Sequence, residues 1–277
     1  MLNADRYFYI GKTHDVCEDF AIADKNSTGV YTVLCDGCSS SKDTDIGARI
    51  LAKQAMTEDP INPALYLYSA KNICDILKLN PMCLDATILN IKAAHNKWNI
   101  YCVGDGTIIK IRNDNKIEIT DIEYKSGAPF YLSYQLDIER EKNYIKTYGL
   151  ERTITKYIFD PACNFDKDNM LTKISIIDIN GKPYVEEGRF NDNEDGYHTI
   201  LTTSDGIHSF QEKITTDTSV VNHQISIEKV LTKLLDFKGY HGQFIARRMR
   251  RFIKDSAKWN WSNLDDLSMA GVHYERE

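Results

Sequence analysis

The sequence predicts an α+β fold, with antiparallel sheets and helices packed outside them. Three observations lead there. Short β-branched and apolar segments joined by hairpin-type turns recur along the chain. Helical patterns fall in two pairs, one between and one after the strand clusters. The regular strand–helix–strand alternation of a parallel, Rossmann-type sheet is missing.

In order, 6–10 and 20–24 read as strands, and the polar stretch between them carries His14, Asp15, Glu18 and Asp19. The turn 26–29 (Asn-Ser-Thr-Gly) leads into a buried strand, 30–37, which ends in Asp36-Gly37. A helix over 45–56 sets Ile46, Ile50, Leu51 and Ala55 along one face, until Pro60 and Pro63 break it. A second helix, 64–77, places Leu65, Tyr68, Ile73, Ile76 and Leu77 mostly inward. Strands follow at 86–92, 99–103, 107–112 and 116–120, with 113–115 turning the last pair. Residues 121–170 are the least legible. Further strands read at 171–179, 184–185, 199–206 and 267–273, and the second helix pair at 226–235 and 243–257.

At 277 residues, 42% hydrophobic and 27% charged, the chain can bury a sizeable core, and global disorder is excluded. No fixed-period repeat, low-complexity tract or long linker divides it, so one domain over 1–277 is expected. A net charge of -6 argues against general binding to nucleic-acid phosphates. No signal peptide or membrane-length apolar run is visible. Seven cysteines, mostly in apolar stretches, read as reduced thiols in a cytoplasmic protein.

The chemistry-bearing candidates are acidic: Glu18, Asp19, Asp36, Asp105, Asp205, Asp265 and Asp266. Each closes an apolar segment or sits in a short polar break beside one. Hard divalent cations such as Mg²⁺ and Mn²⁺ take carboxylates, carbonyls and waters. Two such ions sharing a water can clamp a phosphoryl group for in-line attack. Asp-Gly is also a common turn dipeptide, and spacing alone does not bring these carboxylates together.

Six phrases carry a resemblance: 11–20 (Gly-Lys-Thr-His-Asp-Val-Cys-Glu-Asp-Phe), 34–40 (Leu-Cys-Asp-Gly-Cys-Ser-Ser), 46–49 (Ile-Gly-Ala-Arg), 103–106 (Val-Gly-Asp-Gly), 203–207 (Thr-Ser-Asp-Gly-Ile) and 264–268 (Leu-Asp-Asp-Leu-Ser). In this order they resemble the metal-dependent serine/threonine phosphatases of type 2C, particularly a bacterial branch. The resemblance implies a four-layer α-β-β-α sandwich, two antiparallel sheets flanked by helices. It implies hydrolysis of phosphoserine or phosphothreonine by water bridging two Mn²⁺ or Mg²⁺ ions, without a phospho-enzyme. Asp36 would bridge the ions, Gly37 would give its carbonyl, and Asp205 and Asp265 would complete the first ion's shell. Glu18 and Asp19 would hold the second ion and its waters, and Asp105 would help bind a third, weaker ion. Asp266, where asparagine is frequent, would support the ligands from behind. The implied partners are a phosphorylated protein substrate and a cognate serine/threonine kinase, with neither nucleic acid nor membrane.

Two positions depart from the pattern. His14 stands where many members carry a phosphate-gripping arginine; histidine lacks the permanent charge and bidentate fork. Cys38 replaces a histidine suggested as general acid in eukaryotic relatives, and the proton donor is left unassigned. These departures keep open a rival reading, a weak or inactive pseudophosphatase that binds phosphoproteins. Cys35 and Cys38 lack a second pair at zinc-ligand spacing. Arg247, Arg248, Arg250 and Arg251 read as the solvated face of a helix whose buried face is Phe244, Ile245, Met249, Phe252 and Ile253. His95, His198, His208 and His241 fit no usable pattern.

Overall fold

The structure is a computed structural model that describes residues 1–58, 62–162, 172–191, 193–215 and 219–275. Its larger sheet has seven strands, ordered β1 (Leu2–Tyr9), β15 (Leu267–Tyr274), β11 (Tyr197–Thr203), β6 (Gly106–Arg112), β7 (Ile117–Tyr124), β8 (Arg152–Phe159) and β9 (Thr172–Asp178). The second has five: β10 (Tyr184–Arg189), β5 (Lys97–Val103), β4 (Ala86–Ala94), β3 (Gly29–Gly37) and β2 (Phe20–Asn26). All these pairings are antiparallel.

Side-chain alternation builds the layers. On β3, Val33 and Cys35 pack beneath helices α1 (Thr44–Thr57) and α2 (Pro63–Leu77), with Ala48, Leu51, Leu67 and Cys74. Val30 and Leu34 point the other way and meet Ile108, Ile122, Ile200 and Val272 of the larger sheet. That sheet's outer face, Ile109, Ile119, Leu201 and Met269, is covered by α4 (Ile227–Leu234) and α5 (Phe244–Lys258). The result is the expected order, helices, sheet, sheet, helices.

The structure adds a third, three-stranded sheet of β13 (Val220–Gln224), β12 (Phe210–Thr215) and β14 (Trp261–Asn263). It also gives form to the segment that was hardest to read. There β7 runs on to Tyr124, a 3-10 turn spans Leu132–Leu136, and α3 (Ile138–Tyr148) leads into β8. The expected strand 171–179 is seen as Thr172–Asp178, and Leu171 lies outside the described residues.

Two helix faces need correction. In α2 the buried side is Tyr66, Leu67, Ala70 and Cys74, whereas Leu65, Tyr68, Ile76 and Leu77 are exposed. Apolar residues lie on both sides of that helix, with only Ser69, Lys71, Asn72 and Asp75 polar, so the pattern does not single out one stripe. Ile46 of α1 is exposed too, because small residues, Gly47 and Ala48, form the inward start of that helix. Gly47 lies so close to the Cys83 carbonyl that a Cβ there would sit 1.7 Å from its oxygen.

Candidate metal centre

Register carries the acidic residues to one end of the sandwich. Asp19 immediately precedes β2, whose Phe20 pairs with Cys35, and Asp36 pairs with Thr87. Asp105 sits between Val103, the last residue of β5, and Gly106, which opens β6; Thr107 pairs with Thr203, which closes β11 just before Asp205. Asp265 and Asp266 immediately precede β15, whose Met269 also pairs with Thr203. Two glycines let these loops touch. A Cβ at Gly206 would lie 1.7 Å from the Asp266 carbonyl oxygen, and one at Gly11 would lie 2.3 Å from the Asp265 carbonyl carbon.

Asp266 is buried and organises the floor. Its Oδ1 accepts the Gly11 backbone N–H at 2.7 Å and its Oδ2 accepts that of Glu18 at 2.6 Å. His14 stands over the same group, Nδ1 3.2 Å from Asp266 Oδ2 and Nε2 3.1 Å from Asp265 Oδ1. Glu18 Oε1 accepts from the Thr44 hydroxyl at 2.7 Å. Asp19 is buried; Oδ2 accepts from Ser204 Oγ at 2.8 Å, while Oδ1 has no hydrogen-bond partner among the described residues.

The carboxylates also find one another electrostatically. Asp36 is pushed well above the usual carboxylate range by loss of hydration, then by Asp19, Asp205, Asp105 and Asp265. Asp19 is pushed up to about 7, first by burial, with Asp266 and Asp205 adding to it against the Ser204 hydrogen bond. Asp105 is pushed up to about 8 by loss of hydration and the Asp205 charge. Asp205 is raised for the same reason, with Asp265 as its main charged neighbour, and its carboxyl is within hydrogen-bonding reach of Asp36. The side chains of Asp205 and Asp265 reach solvent, so the group is open to a ligand.

Sequence reasoning missed a neighbouring group. Asp121 and Glu123 of β7 and His208, at the end of the 3-10 turn that Asp205 begins, have ligand atoms within 4.8 Å of one another. They line a cavity of about 310 Å³ together with Asp105 and Asp205. His208 Nε2 is 3.1 Å from Asp121 Oδ1, and the Thr107 hydroxyl donates to the same oxygen at 2.6 Å. The signal was the two-residue spacing of Asp121 and Glu123, legible only if the strand is carried to Tyr124. His14, Glu18 and Asp266 form a second set of donors that could hold a cation.

The arginine cluster divides. Arg247, Arg250 and Arg251 are exposed as expected, but Arg248 is buried and donates from Nε to the Leu234 carbonyl at 2.8 Å, and from Nη2 to that of Lys233. It caps the end of α4, which explains a charged residue on an otherwise apolar face.

Neither a family model nor a curated protein matches the sequence. Solved structures do. The serine/threonine phosphatase Stp1 from Staphylococcus aureus superposes with a TM-score of 0.54 at 15% identity, over 100% of this chain and 96% of that one. The chain has the fold of the bacterial serine/threonine phosphatases. The S. agalactiae serine/threonine phosphatase gives 0.55 at 13% identity, over 99% and 100% of the two chains. The catalytic domain of the serine/threonine phosphatase PstP, solved with two manganese ions, gives 0.52 at 12% identity, over 98% and 97%. The phosphatase fold thus extends over nearly the whole length of these chains, as the six phrases imply.

Proposed function

We propose that this chain, one domain over residues 1–277, is a metal-dependent protein serine/threonine phosphatase that hydrolyses phosphomonoesters. The observation that carries the reading is the environment of Asp36. The charged groups that act most strongly on it are four further carboxylates, drawn from four separate segments. Like charges gathered this way are costly unless cations neutralise them. The donor set fits hard divalent ions: it is built of oxygens, and buried Asp19 Oδ1 has no hydrogen-bond partner among the described residues.

In this reading Asp36, Asp205, Asp265 and the Gly37 carbonyl would hold one Mn²⁺ or Mg²⁺, and Glu18 and Asp19, with Asp36, would hold a second. Asp105 serves a third, with Asp121, Glu123 and His208 close by. When bound, such ions supply the positive charge that polarises a phosphoryl oxygen and acidifies water. Asp36 and Asp19 are the catalytic carboxylates: Asp36 would ligate the ions, and Asp19 Oδ1, which has no hydrogen-bond partner among the described residues, would accept a hydrogen bond from the attacking water. His14, held upright by Asp265 and Asp266, donates to the substrate phosphate. The substrate is a phosphorylated protein, with a serine/threonine kinase as its counterpart. The PstP structure with two manganese ions supports the choice of ion.

One observation favours the rival, a pseudophosphatase. Both His14 nitrogens already face carboxylates, so its grip on phosphate is weaker than that of an arginine. Phosphate release from an aryl phosphate and from phosphoserine and phosphothreonine peptides, with Mn²⁺, decides between them. Activity lost in Asp36→Asn supports the phosphatase; parent protein no faster than that variant supports the rival.

A further inference from the structure

Asp85 lies one residue before β4, beside the end of β3, since Ala86 pairs with Gly37. It is 1% exposed, yet none of its carboxylate's capacity is wasted. Oδ1 accepts from Ser133 Oγ at 2.5 Å and from Arg140 Nη1 at 2.9 Å. Oδ2 accepts from Ser41 Oγ at 2.7 Å and from Arg140 Nη2. Its backbone carbonyl accepts the Cys38 N–H at 2.8 Å. One buried side chain therefore joins the loop leaving Asp36-Gly37, the turn Leu132–Leu136 and α3, with the fork of Arg140 meeting both oxygens.

What is joined matters. Tyr131 is buried just before that turn, its ring 5.7 Å from that of Tyr134, and Cys38 directly follows Gly37 on the loop; burial, then Cys38, Asp105 and Asp36, push the Tyr131 phenol up. The Arg140 guanidinium also sits 4.4 Å from the centroid of the Tyr134 ring, which packs against Tyr144 of α3 at 4.8 Å. A buried ion pair adds little net stability over an apolar pair, while the bidentate fork of Arg140 on both Asp85 oxygens accepts one geometry of the parts it connects.

We propose that Asp85 and Arg140 are positioning residues of the reacting site: they register α3 and the turn before it on the loop after Asp36, and so fix Tyr131 and Cys38 as a wall of the centre. Among the described residues neither hydrogen-bonds to Glu18, Asp19, Asp36, Asp105, Asp205 or Asp265. They act through the loop they hold, and the catalytic consequence rests on the phosphatase reading.

The test uses the full chain and the variants Asp85→Asn, Arg140→Gln and Arg140→Lys. Three quantities are measured well below the melting temperature: kcat and KM on an aryl phosphate with saturating Mn²⁺, the melting shift caused by Mn²⁺, and the alkylation rate of Cys38 by iodoacetamide, followed by peptide mass spectrometry. Misplacement of the wall lowers kcat roughly 10–100-fold in Asp85→Asn and Arg140→Gln while the Mn²⁺ shift persists. Cys38 alkylates roughly tenfold faster as the loop opens locally, and Cys17 at its parental rate. Arg140→Lys, which keeps the charge and loses the fork, falls between. A lower melting temperature with parental kcat and parental Cys38 reactivity overturns the proposal and leaves a purely structural tie. If the parent hydrolyses nothing, the phosphatase reading fails, and Cys38 reactivity alone decides this one. Should Asp85→Asn not fold, the two Arg140 variants carry the same comparison.

Discussion

The carboxylate of Asp266 accepts the backbone N–H of Glu18 at 2.6 Å, binding the segment that carries Glu18 and Asp19 to the one that carries Asp265. Its other oxygen takes the Gly11 N–H. Asp266→Ala strands two backbone donors, one buried and one half-buried, and loosens His14 at once. It should cost about 3 kcal/mol of stability and roughly 10–100-fold in Mn²⁺ affinity. Thermal melting and Mn²⁺ titration of the purified variant check both figures.

Gly206 makes a second contact with the same segment, and it tolerates no side chain. A Cβ would lie 1.7 Å from the Asp266 carbonyl oxygen, so Gly206→Ala must push the Asp205 turn away from β15. Overpacking of this kind costs about 1–3 kcal/mol. The larger effect should fall on metal binding, because Asp205 moves with the turn. A variant that melts lower and is stabilised by Mn²⁺ as much as the parent would show that the turn recovers its place.

The metal-free chain should be less stable at neutral pH than in mild acid. Burial, followed by neighbouring carboxylates, raises Asp19 to about 7 and Asp105 to about 8. The folded state then holds more protons than the unfolded chain, whose aspartates titrate near a pKa of about 4. Stability therefore falls as pH rises through that window and levels above about 8. Melting in EDTA between pH 5 and 8 should show the decline. Saturating Mn²⁺ should flatten or reverse it, since bound ions need deprotonated ligands.

The arginines of α5 make a paired prediction. Arg248→Ala removes the cap on the Lys233 and Leu234 carbonyls and should lower stability by about 2 kcal/mol. Arg251→Ala, on the exposed side, should change it by less than about 0.5 kcal/mol. Equal effects would mean that α4 does not depend on the cap.

Sequence legibility followed local pattern. The apolar run of β3 ending in Asp36-Gly37 was readable because strand periodicity and turn chemistry agree there, and the ordered phrases linked it to Asp205 and Asp265. His208 was not readable: its meaning depends on Asp121, 87 positions away in sequence. Asp85 and Arg140 were equally silent, since a buried carboxylate satisfied by a distant guanidinium leaves no spacing to detect. The outward face of α2 failed for the opposite reason, an excess of apolar residues in which the true stripe is hidden. The acidic centre was found through its loops, and its supporting contacts came from the fold.

Anomalous scattering at the manganese edge, from crystals grown with Mn²⁺, tests the central claim most directly. Two strong peaks flanking Asp36, one beside Asp205 and Asp265 and the other on the side of Glu18 and Asp19, are the predicted result. Both should vanish in Asp36→Asn. No peak within coordinating distance of Asp36 in the parent protein would contradict the account.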